Sequence, residues 1–284
     1  MTARSTRSHG DPGEVVTVIR PQSRWTSSVG DVWAYRELLY FLIWKELKVR
    51  YKQTVLGAGW AVLQPVLTMV VFSVFFGRLG GLPSDGLPYP VFTYAALLPW
   101  MLFAHVLIQS SQSIVHHQSL VTKVYFPRVL LVLAPLGVGL VDFALAFVVL
   151  LAIMLWYGLA PGPGLLFAPL FVALAAVAAL AIGVWLAALN VRYRDVRHTV
   201  PFLTSLWLFA SPVAYPASLV PGPWRWLYGL NPMAGAIEGF RWAVLSQGGI
   251  PAPLVAASLA VTLLMLVTGL RYFTRVEQTF ADLV

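Results

Sequence analysis

The fold is decided by residues 37–76, which read ELLYFLIWKELKVRYK (37–52), QTV (53–55) and LGAGWAVLQPVLTMVVFSVFF (56–76). In the first part, Lys45, Lys48 and Lys52 recur at helical spacing beside apolar residues, which predicts a basic amphipathic helix. The last part has no charged residue over 21 positions. At 1.5 Å per helical residue, it is long enough for the ~30 Å hydrocarbon core of a bilayer. The stretch therefore predicts a helix on a membrane surface, followed by a membrane span.

The composition extends this prediction to the whole chain. Hydrophobic residues make up 59% of the 284 residues and charged residues only 11%, with a mean hydropathy of +0.77. These values exclude a water-soluble core and predict an all-α polytopic membrane protein. Cysteine is absent, which excludes disulfides, thiol catalysis and cysteine-based metal sites. The net charge of +8 does not indicate a nucleic-acid partner, because the basic residues cluster at the ends of apolar segments.

Apolar segments separated by loops rich in Gly, Pro or charge predict six transmembrane helices. Their expected ranges are about residues 56–77, 91–114, 129–156, 165–189, 200–220 and 253–270. Residues 1–30 lack the apolar core of a secretory signal and are expected to form a mobile cytoplasmic tail. Residues 31–52 would then form the amphipathic cytoplasmic helix, and residues 53–284 the transmembrane domain.

The region before the last span is amphiphilic, and neither of its helical pieces is long enough to cross a bilayer. Two short helices around Asn231-Pro232 predict an external re-entrant hairpin over residues 224–246. With this layout, only three of the 19 Lys and Arg residues lie outside, namely Arg78, Arg225 and Arg241. Because basic residues are retained on the cytoplasmic side, both termini are expected in the cytoplasm.

Motifs for catalysis by the chain itself are missing from the sequence. None of its four lysines follows Gly in a phosphate-binding loop, and neither a His-Glu-x-x-His zinc helix nor a Gly-x-Ser-x-Gly turn occurs. We therefore expect no catalytic residue, no metal site and no cofactor of its own. Asp142 and His105 are rare ionisable residues on predicted spans. A lipid-facing Asp costs about 2.5–3.5 kcal/mol, so Asp142 needs a partner, and structural roles are favoured for both residues over roles in a transport path.

Five segments, taken together, are specific enough to indicate a family. They read WKELKVRYKQTVLGAGWAVLQP (44–65), LPW (98–100), KVYFPR (123–128), NVRYRD (190–195) and YGLNPM (228–233). In combination they resemble the permease subunit of type-2 ABC exporters for polysaccharides, which carry O-antigen, capsular polysaccharide or teichoic acid. The resemblance extends from about residue 31 to the C-terminus.

The resemblance implies partners and a location. The chain would form a homodimeric pore in the bacterial inner membrane, with a cytoplasmic ATPase subunit on each protomer that binds ATP and Mg²⁺. The substrate would be a polysaccharide joined to an undecaprenyl-type lipid. The amphipathic helix would be a gate helix, here with Trp44, Lys45, Lys48 and Arg50. The loop between spans two and three, about residues 114–125, would supply the coupling helix for the ATPase, here with His116, Leu120, Lys123 and Tyr125.

Aromatic residues are the candidates for a substrate path. Flat rings offer many weak contacts to the C–H faces of sugars without fixed charge. Five aromatic residues fall on elements that line the channel in the resembling family: Trp60, Trp207, Tyr215, Trp224 and Trp226.

Three alternatives remain open from the sequence. A type-2 ABC permease for a drug, lipid or peptide would share the spans and the hairpin. An intramembrane polyprenyl-dependent enzyme would need paired acidic residues in a loop, and no such pair is evident. A structural scaffold would need neither the re-entrant hairpin nor so many intramembrane prolines.

Overall fold

The computed structural model describes residues 29–52, 57, 59–124, 126–246, 249–277 and 280, and within these ranges the chain is helical and has no β-strand. Its helices are α1 (Val29–Ala34), α2 (Arg36–Lys52), α3 (Gly59–Phe72), α4 (Tyr89–His116), α5 (Gln118–Lys123), α6 (Val129–Trp156), α7 (Ala168–Arg192), α8 (Val196–Phe209), α9 (Gly222–Tyr228), α10 (Pro232–Leu245) and α11 (Ala252–Val276). A π-helical segment, Ser73–Leu79, continues α3. A 3-10 segment, Pro163–Phe167, precedes α7. The prediction of an all-α protein is confirmed, while the predicted tail lies outside these ranges except for its last two residues.

Five helical segments of the described chain are long and apolar enough to cross a bilayer. They are Gly59–Leu79, Tyr89–His116, Val129–Trp156, Pro163–Arg192 and Ala252–Val276. They correspond to the first four predicted spans and the last one, and α6 has the predicted boundaries. The chain is therefore a multi-pass membrane protein.

The predicted fifth span, residues 200–220, is not one continuous helix. Helix α8 contains 14 residues, which is about 21 Å of helix and less than the hydrocarbon core requires. After Phe209 the backbone turns. Pro212 and Pro216 lack the amide hydrogens that a continuing helix would use. The prediction of a continuous fifth helix is wrong, and the count of six spans is not confirmed.

The basic segment at residues 190–198, which lies between the predicted fourth and fifth spans, is mostly helical and not an extended loop. Helix α7 continues to Arg192 and α8 begins at Val196. Only the three residues between them connect the two helices. The helix continues because its polar residues are accommodated without a break in the backbone: Arg192 is exposed, and the buried Asn190 amide donates to the Ser111 carbonyl oxygen at 2.9 Å.

Helix α4 forms the centre of the bundle. In its most apolar window 78% of the residues are buried, against 11% in the first span. It packs against α6 and α7, and large side chains such as Tyr94 and Phe103 are fully buried there. Polar residues on α4 therefore face protein or an internal cavity.

The predicted amphipathic helix over residues 31–52 is present as two helices, α1 and α2, which are separated at Tyr35. Leu38 and Leu42 contact the apolar cluster at the start of α6. Phe41, which precedes Leu42 in the sequence, is instead 64% exposed. The apolar side of α2 that packs on the bundle is therefore narrower than predicted, and its role as an amphipathic surface helix stays a prediction.

Helix α2 runs alongside α6. The sequence predicted a different arrangement, in which this helix lies on the membrane surface at the ends of the spans. Ile43 lies over Gly137, where an added Cβ would come 2.6 Å from its Cγ2 atom. Further along both helices, Arg50 reaches Asp142, near the midpoint of α6. The missing side chain at Gly137 is what permits this close approach.

Small residues also pack the hairpin inside the chain. An added Cβ at Gly235 would lie 2.7 Å from Oγ of Ser258 on α11, and one at Gly239 would lie 2.1 Å from the Phe171 ring on α7. The Gly-x-x-x-Gly pattern on α10 thus serves contacts between helices of one protomer.

Candidate functional site

Four side chains from α2, α4 and α6 form a polar cluster among apolar helices: Arg50, Tyr51, His105 and Asp142. Nη2 of Arg50 lies 2.6 Å from Oδ2 of Asp142, and the Tyr51 hydroxyl donates to Oδ1. Nη1 of Arg50 lies 3.2 Å from Nδ1 of His105. Both carboxylate oxygens of Asp142 therefore have donors, which offsets the cost of placing a carboxylate on a span. This geometry agrees with the hydrogen-bonded structural role favoured for Asp142 from the sequence.

The contact with Arg50 fixes the tautomer of His105. A guanidinium can only donate hydrogen bonds, so Nδ1 of His105 accepts and Nε2 carries the ring hydrogen. Nε2 is buried and has no hydrogen-bond partner within the described part of the chain. A buried donor left in this state costs about 1–3 kcal/mol unless a ligand or water accepts from it.

The cluster lies on the wall of a cavity of about 440 Å³. Helices α3, α4, α6 and α8 surround it, and α2 contributes Arg50 alone. The volume falls within the range of small-molecule sites in proteins, about 300–1,000 Å³. The end of α2 thus brings a charged side chain to a cavity between membrane spans.

Of the four predicted gate-helix residues, Arg50 is the one that joins this cluster. Trp44 is 47% exposed, and Nζ of Lys48 lies 5.3 Å from the centre of its indole ring. Lys45 is exposed as well. These three side chains are thus available for contact with lipid or a partner.

The predicted coupling residues lie on or beside α5. Val121 is buried and anchors the short helix, and Leu120 is partly buried. His116 and Lys123 are exposed. Tyr125 lies outside the described residues. The segment therefore presents polar groups while one apolar face is attached to the bundle.

Helices α5 and α2 are attached to the same apolar cluster. Val121 of α5 and Leu42 of α2 both belong to it, together with Phe126 and residues at the start of α6. Packed side chains of this kind can transmit displacement between elements. A movement of α5 therefore has a continuous route to α2.

A contact that the sequence did not predict joins the C-terminal segment to the start of α6. The backbone N–H of Arg128 donates to Oε1 of Glu277 at 3.1 Å, and its guanidinium donates to the Glu277 carbonyl oxygen. The Arg128 guanidinium also lies 5.7 Å from the ring centre of Phe280, which is fully buried. Burial raises the pKa of Glu277, and the contacts with Arg128 oppose that shift. Because the two residues are 149 positions apart, no local sequence pattern could have predicted this contact.

The Asn-Pro turn of the hairpin is held by the side chain of Asn231. Its Oδ1 accepts from the backbone N–H of Met233 at 3.0 Å and from Nε1 of Trp207 at 3.1 Å, and its Nδ2 donates to Oγ of Ser211 at 3.0 Å. Asn before a Pro at the first helical position is a typical N-cap. The two short helices predicted around the Asn-Pro turn are present as α9 and α10, and Asn231 connects this turn to the end of α8. Their external, re-entrant placement stays a prediction.

Two charged residues of α10, Glu238 and Arg241, form a pair inside the protein. Nη1 of Arg241 lies 3.0 Å from Oε1 of Glu238, and Nη2 donates to the carbonyl of Pro212 at 2.6 Å. The Arg241 guanidinium lies 3.7 Å from the ring centre of Phe92. Glu238 accepts from the backbone N–H of Ala217 at 2.7 Å. These contacts attach α10 to the segment after α8, so the pair acts in the packing of the hairpin.

The five aromatic path candidates occupy different surroundings. Trp60 is 50% exposed on α3, and Trp224 is 61% exposed on α9. Trp207 is partly buried, and its ring centre lies 5.2 Å from that of Phe103 in an edge-to-face contact. The Tyr215 hydroxyl donates to the Phe209 carbonyl oxygen and accepts from Tyr228. The side chain of Trp226 lies outside what the structure describes. Their contact with substrate stays a prediction.

The family described as "ABC-2 type transporter" matches residues 37–245, which contain the polar cluster and the hairpin. The chain belongs to this family. It is 31% identical over 259 residues to the O-antigen export system permease protein RfbA of Myxococcus xanthus, covering 89% of this chain and 98% of that protein. Two proteins of the same name from Klebsiella pneumoniae are 25% and 24% identical, covering 87% of this chain and 95% of each. Membership makes the chain a membrane subunit of a transporter, and the resemblance seen in its motifs is confirmed.

Proposed function

We propose that this chain is the membrane-spanning subunit of an ATP-driven exporter for an O-antigen-type polysaccharide. One observation carries the proposal: similarity along nearly the full length of relatives named as O-antigen export permeases. Such similarity covers the substrate-handling elements as well as the spans.

The energy source in this proposal is a separate subunit. The chain has no phosphate-binding loop, so ATP and Mg²⁺ would bind to a cytoplasmic ABC ATPase, with two copies serving a homodimer of this chain. The exposed polar residues of α5 are the proposed docking surface. Both termini and α5 would face the cytoplasm of a bacterium, and the spans would lie in its inner membrane.

The proposed mechanism uses α2 as the moving gate. The ATPase would displace α5, and the shared apolar cluster would pass that displacement to Leu42 on α2. The far end of α2 is attached to α6 through Arg50 and Asp142. Opening would therefore break or rearrange this pair and admit the lipid-linked polysaccharide, carried on an undecaprenyl-type lipid.

The function is tested by deleting the gene in its own host. Polysaccharide should disappear from the cell surface and accumulate inside, as measured with a specific antibody on intact and permeabilised cells. A plasmid copy should restore export, and a copy carrying Arg271→Gln, which changes an exposed charge outside the cluster and outside α2, should restore it as well.

A different result would assign a different cargo. If surface polysaccharide is unchanged after deletion while a drug, a lipid or a peptide is retained in the cell, the chain is a type-2 permease for that compound. Nothing in the described geometry favours such a cargo over polysaccharide.

A further inference from the structure

The cavity beside the polar cluster contains more hydrogen-bonding groups than the protein itself satisfies. Gln64 of α3 and Gln109 of α4 line it, and neither side-chain amide makes a hydrogen bond to another residue that the structure describes. His105 adds its unmatched Nε2–H. Arg50, whose side chain is 38% exposed, uses two of its five N–H donors in the contacts with Asp142 and His105.

These groups lie on membrane spans or next to them, where unpaired polar atoms are costly. A polar group without a hydrogen-bond partner costs several kcal/mol in the hydrocarbon region. Gln64 and Gln109 are exposed in the protomer, so their amides are open to a ligand, whereas the buried His105 Nε2–H is the group that requires a polar occupant of the cavity. Water satisfies that requirement at a minimum, and a ligand with hydroxyl groups satisfies it with fixed geometry.

The charge of the cavity wall selects among ligands. Arg50 and Asp142 neutralise each other at 2.6 Å, so an added anion would compete with the Asp142 carboxylate and an added cation with the Arg50 guanidinium. Amides can both donate to and accept from hydroxyl groups. Trp100, Phe143 and Phe209 supply apolar wall, which suits the C–H faces of a sugar ring.

We infer that this cavity is a binding subsite for an uncharged, hydroxyl-rich segment of the transported glycan, with Gln64, Gln109 and His105 as its hydrogen-bonding groups. The inference rests on the proposed function and adds a site to it. None of the five aromatic path candidates lines this cavity. The subsite belongs to one protomer and lies between α3, α4, α6 and α8.

The direct test is photo-crosslinking of the full exporter in cells that make the polysaccharide. The photo-reactive residue p-benzoylphenylalanine is incorporated at position 64 or 109, and as a control at position 264, because Leu264 on α11 is 64% exposed and does not line the cavity. After irradiation, the chain labelled at 64 or 109 should acquire polysaccharide, visible as a high-mass ladder with the specific antibody. The chain labelled at 264 should not.

A second arm measures export without the photo-reactive residue. Gln64→Leu and Gln109→Leu remove an amide at similar size, and each should lower export about 2- to 12-fold, the equivalent of one neutral hydrogen bond. Gln109→Asn, which keeps an amide, should retain more export than Gln109→Leu. Membrane insertion and ATPase binding should be unchanged in all variants.

Two outcomes would overturn the inference. If neither position gives a ladder in cells that export normally, or if the double variant Gln64→Leu/Gln109→Leu exports at the wild-type rate, the cavity holds water alone. Failure of the proposed function has a different signature. The deletion strain, which carries none of these variants, would then still display its polysaccharide, and the subsite would fall with the function.

Discussion

The pair Arg50–Asp142 is predicted to hold the end of α2 against α6. Arg50→Gln or Asp142→Asn would leave the remaining charge unpaired, with side-chain exposures of 38% for Arg50 and 17% for Asp142. Removing one partner of a fully buried pair costs about 3–5 kcal/mol, while a fully exposed pair contributes about 0–1 kcal/mol. Because Arg50 is more than a third exposed, we expect each single change to cost about 2 kcal/mol.

The double variant separates the interaction from the two individual changes. Arg50→Gln/Asp142→Asn leaves no unpaired ion, so its loss should be close to that of one single variant, giving a coupling energy of about 2 kcal/mol. The measurement is the free energy of unfolding of the purified chain in mixed micelles, titrated with a denaturing detergent. Lys48→Gln on the same helix is the matched control and should stay within about 0.5 kcal/mol of the wild type.

Exchanging the charges tests the surrounding geometry. Arg50→Asp/Asp142→Arg restores opposite charges, but an arginine at 142 cannot accept from the Tyr51 hydroxyl, and an aspartate at 50 cannot donate to His105. We therefore expect partial recovery of the free energy of unfolding. If the two single losses add to the double loss within about 0.5 kcal/mol, the pair does not hold α2 and the reasoning is refuted.

Four further predictions address other parts of the molecule. Because the natural chain lacks cysteine, Ser218→Cys should react with an impermeant thiol reagent from outside the cell and Ser119→Cys should not. Labelling of Ser119→Cys from outside would contradict the predicted topology. Leu120→Pro should break α5 and reduce export while the chain still inserts, and unchanged export would remove α5 from the mechanism. Trp60→Ala should lower export without loss of assembly, whereas Trp60→Phe, which keeps a ring, should lower it less. Export at the wild-type rate by both variants would place Trp60 among lipid-facing residues. Burial raises the pKa of Glu277, so the docked C-terminal segment favours the protonated carboxyl. Docking should therefore weaken as pH rises through that raised pKa, which would be measured as faster amide hydrogen exchange in this segment. Glu277→Gln should remove the pH dependence.

The sequence predicted the long spans well because hydropathy measures the property that creates them. Helix α6 has the predicted boundaries, since a long apolar run is bounded by Pro127-Arg128 on one side and by a turn rich in Gly and Pro on the other. The hairpin was predictable for a different reason. Asn231-Pro232 is a local start signal for a helix, and the flanking pieces are too short to span.

The fifth predicted span is not one continuous helix, and hydropathy could not show this because it does not report backbone continuity. Residues 200–220 are apolar enough for a span, yet the helix ends at Phe209. The backbone beyond Phe209 is fixed by tertiary contacts, including the bond between Arg241 and the Pro212 carbonyl. That donor lies on α10, so a window centred on residues 200–220 contains no information about it.

The polar cluster marks the limit of sequence reasoning most clearly. The cost of a carboxylate on a span predicts that Asp142 has a partner, but its partners lie on α2, and 91 residues separate Tyr51 from Asp142. The amphipathic pattern assigned Arg50 to a membrane surface, because that pattern depends only on local periodicity. The basic helix pattern explains Arg50 locally, but it does not show that α2 packs directly on α6, where Ile43 lies over Gly137.

The two attachments of α2 differ in a way that matters for a gate. In its first half, Leu42 lies in an apolar cluster. Separating those contacts costs about 25 cal/mol for each Å² of apolar surface that becomes exposed to water. At its end, Arg50 and Asp142 border a cavity large enough for water, so each charge can exchange its partner for solvent when the pair opens. The charged end is therefore the easier one to release, although it lies deeper along α6. A gate built this way would pivot on its apolar end, beside α5, and open at the end that reaches the cavity.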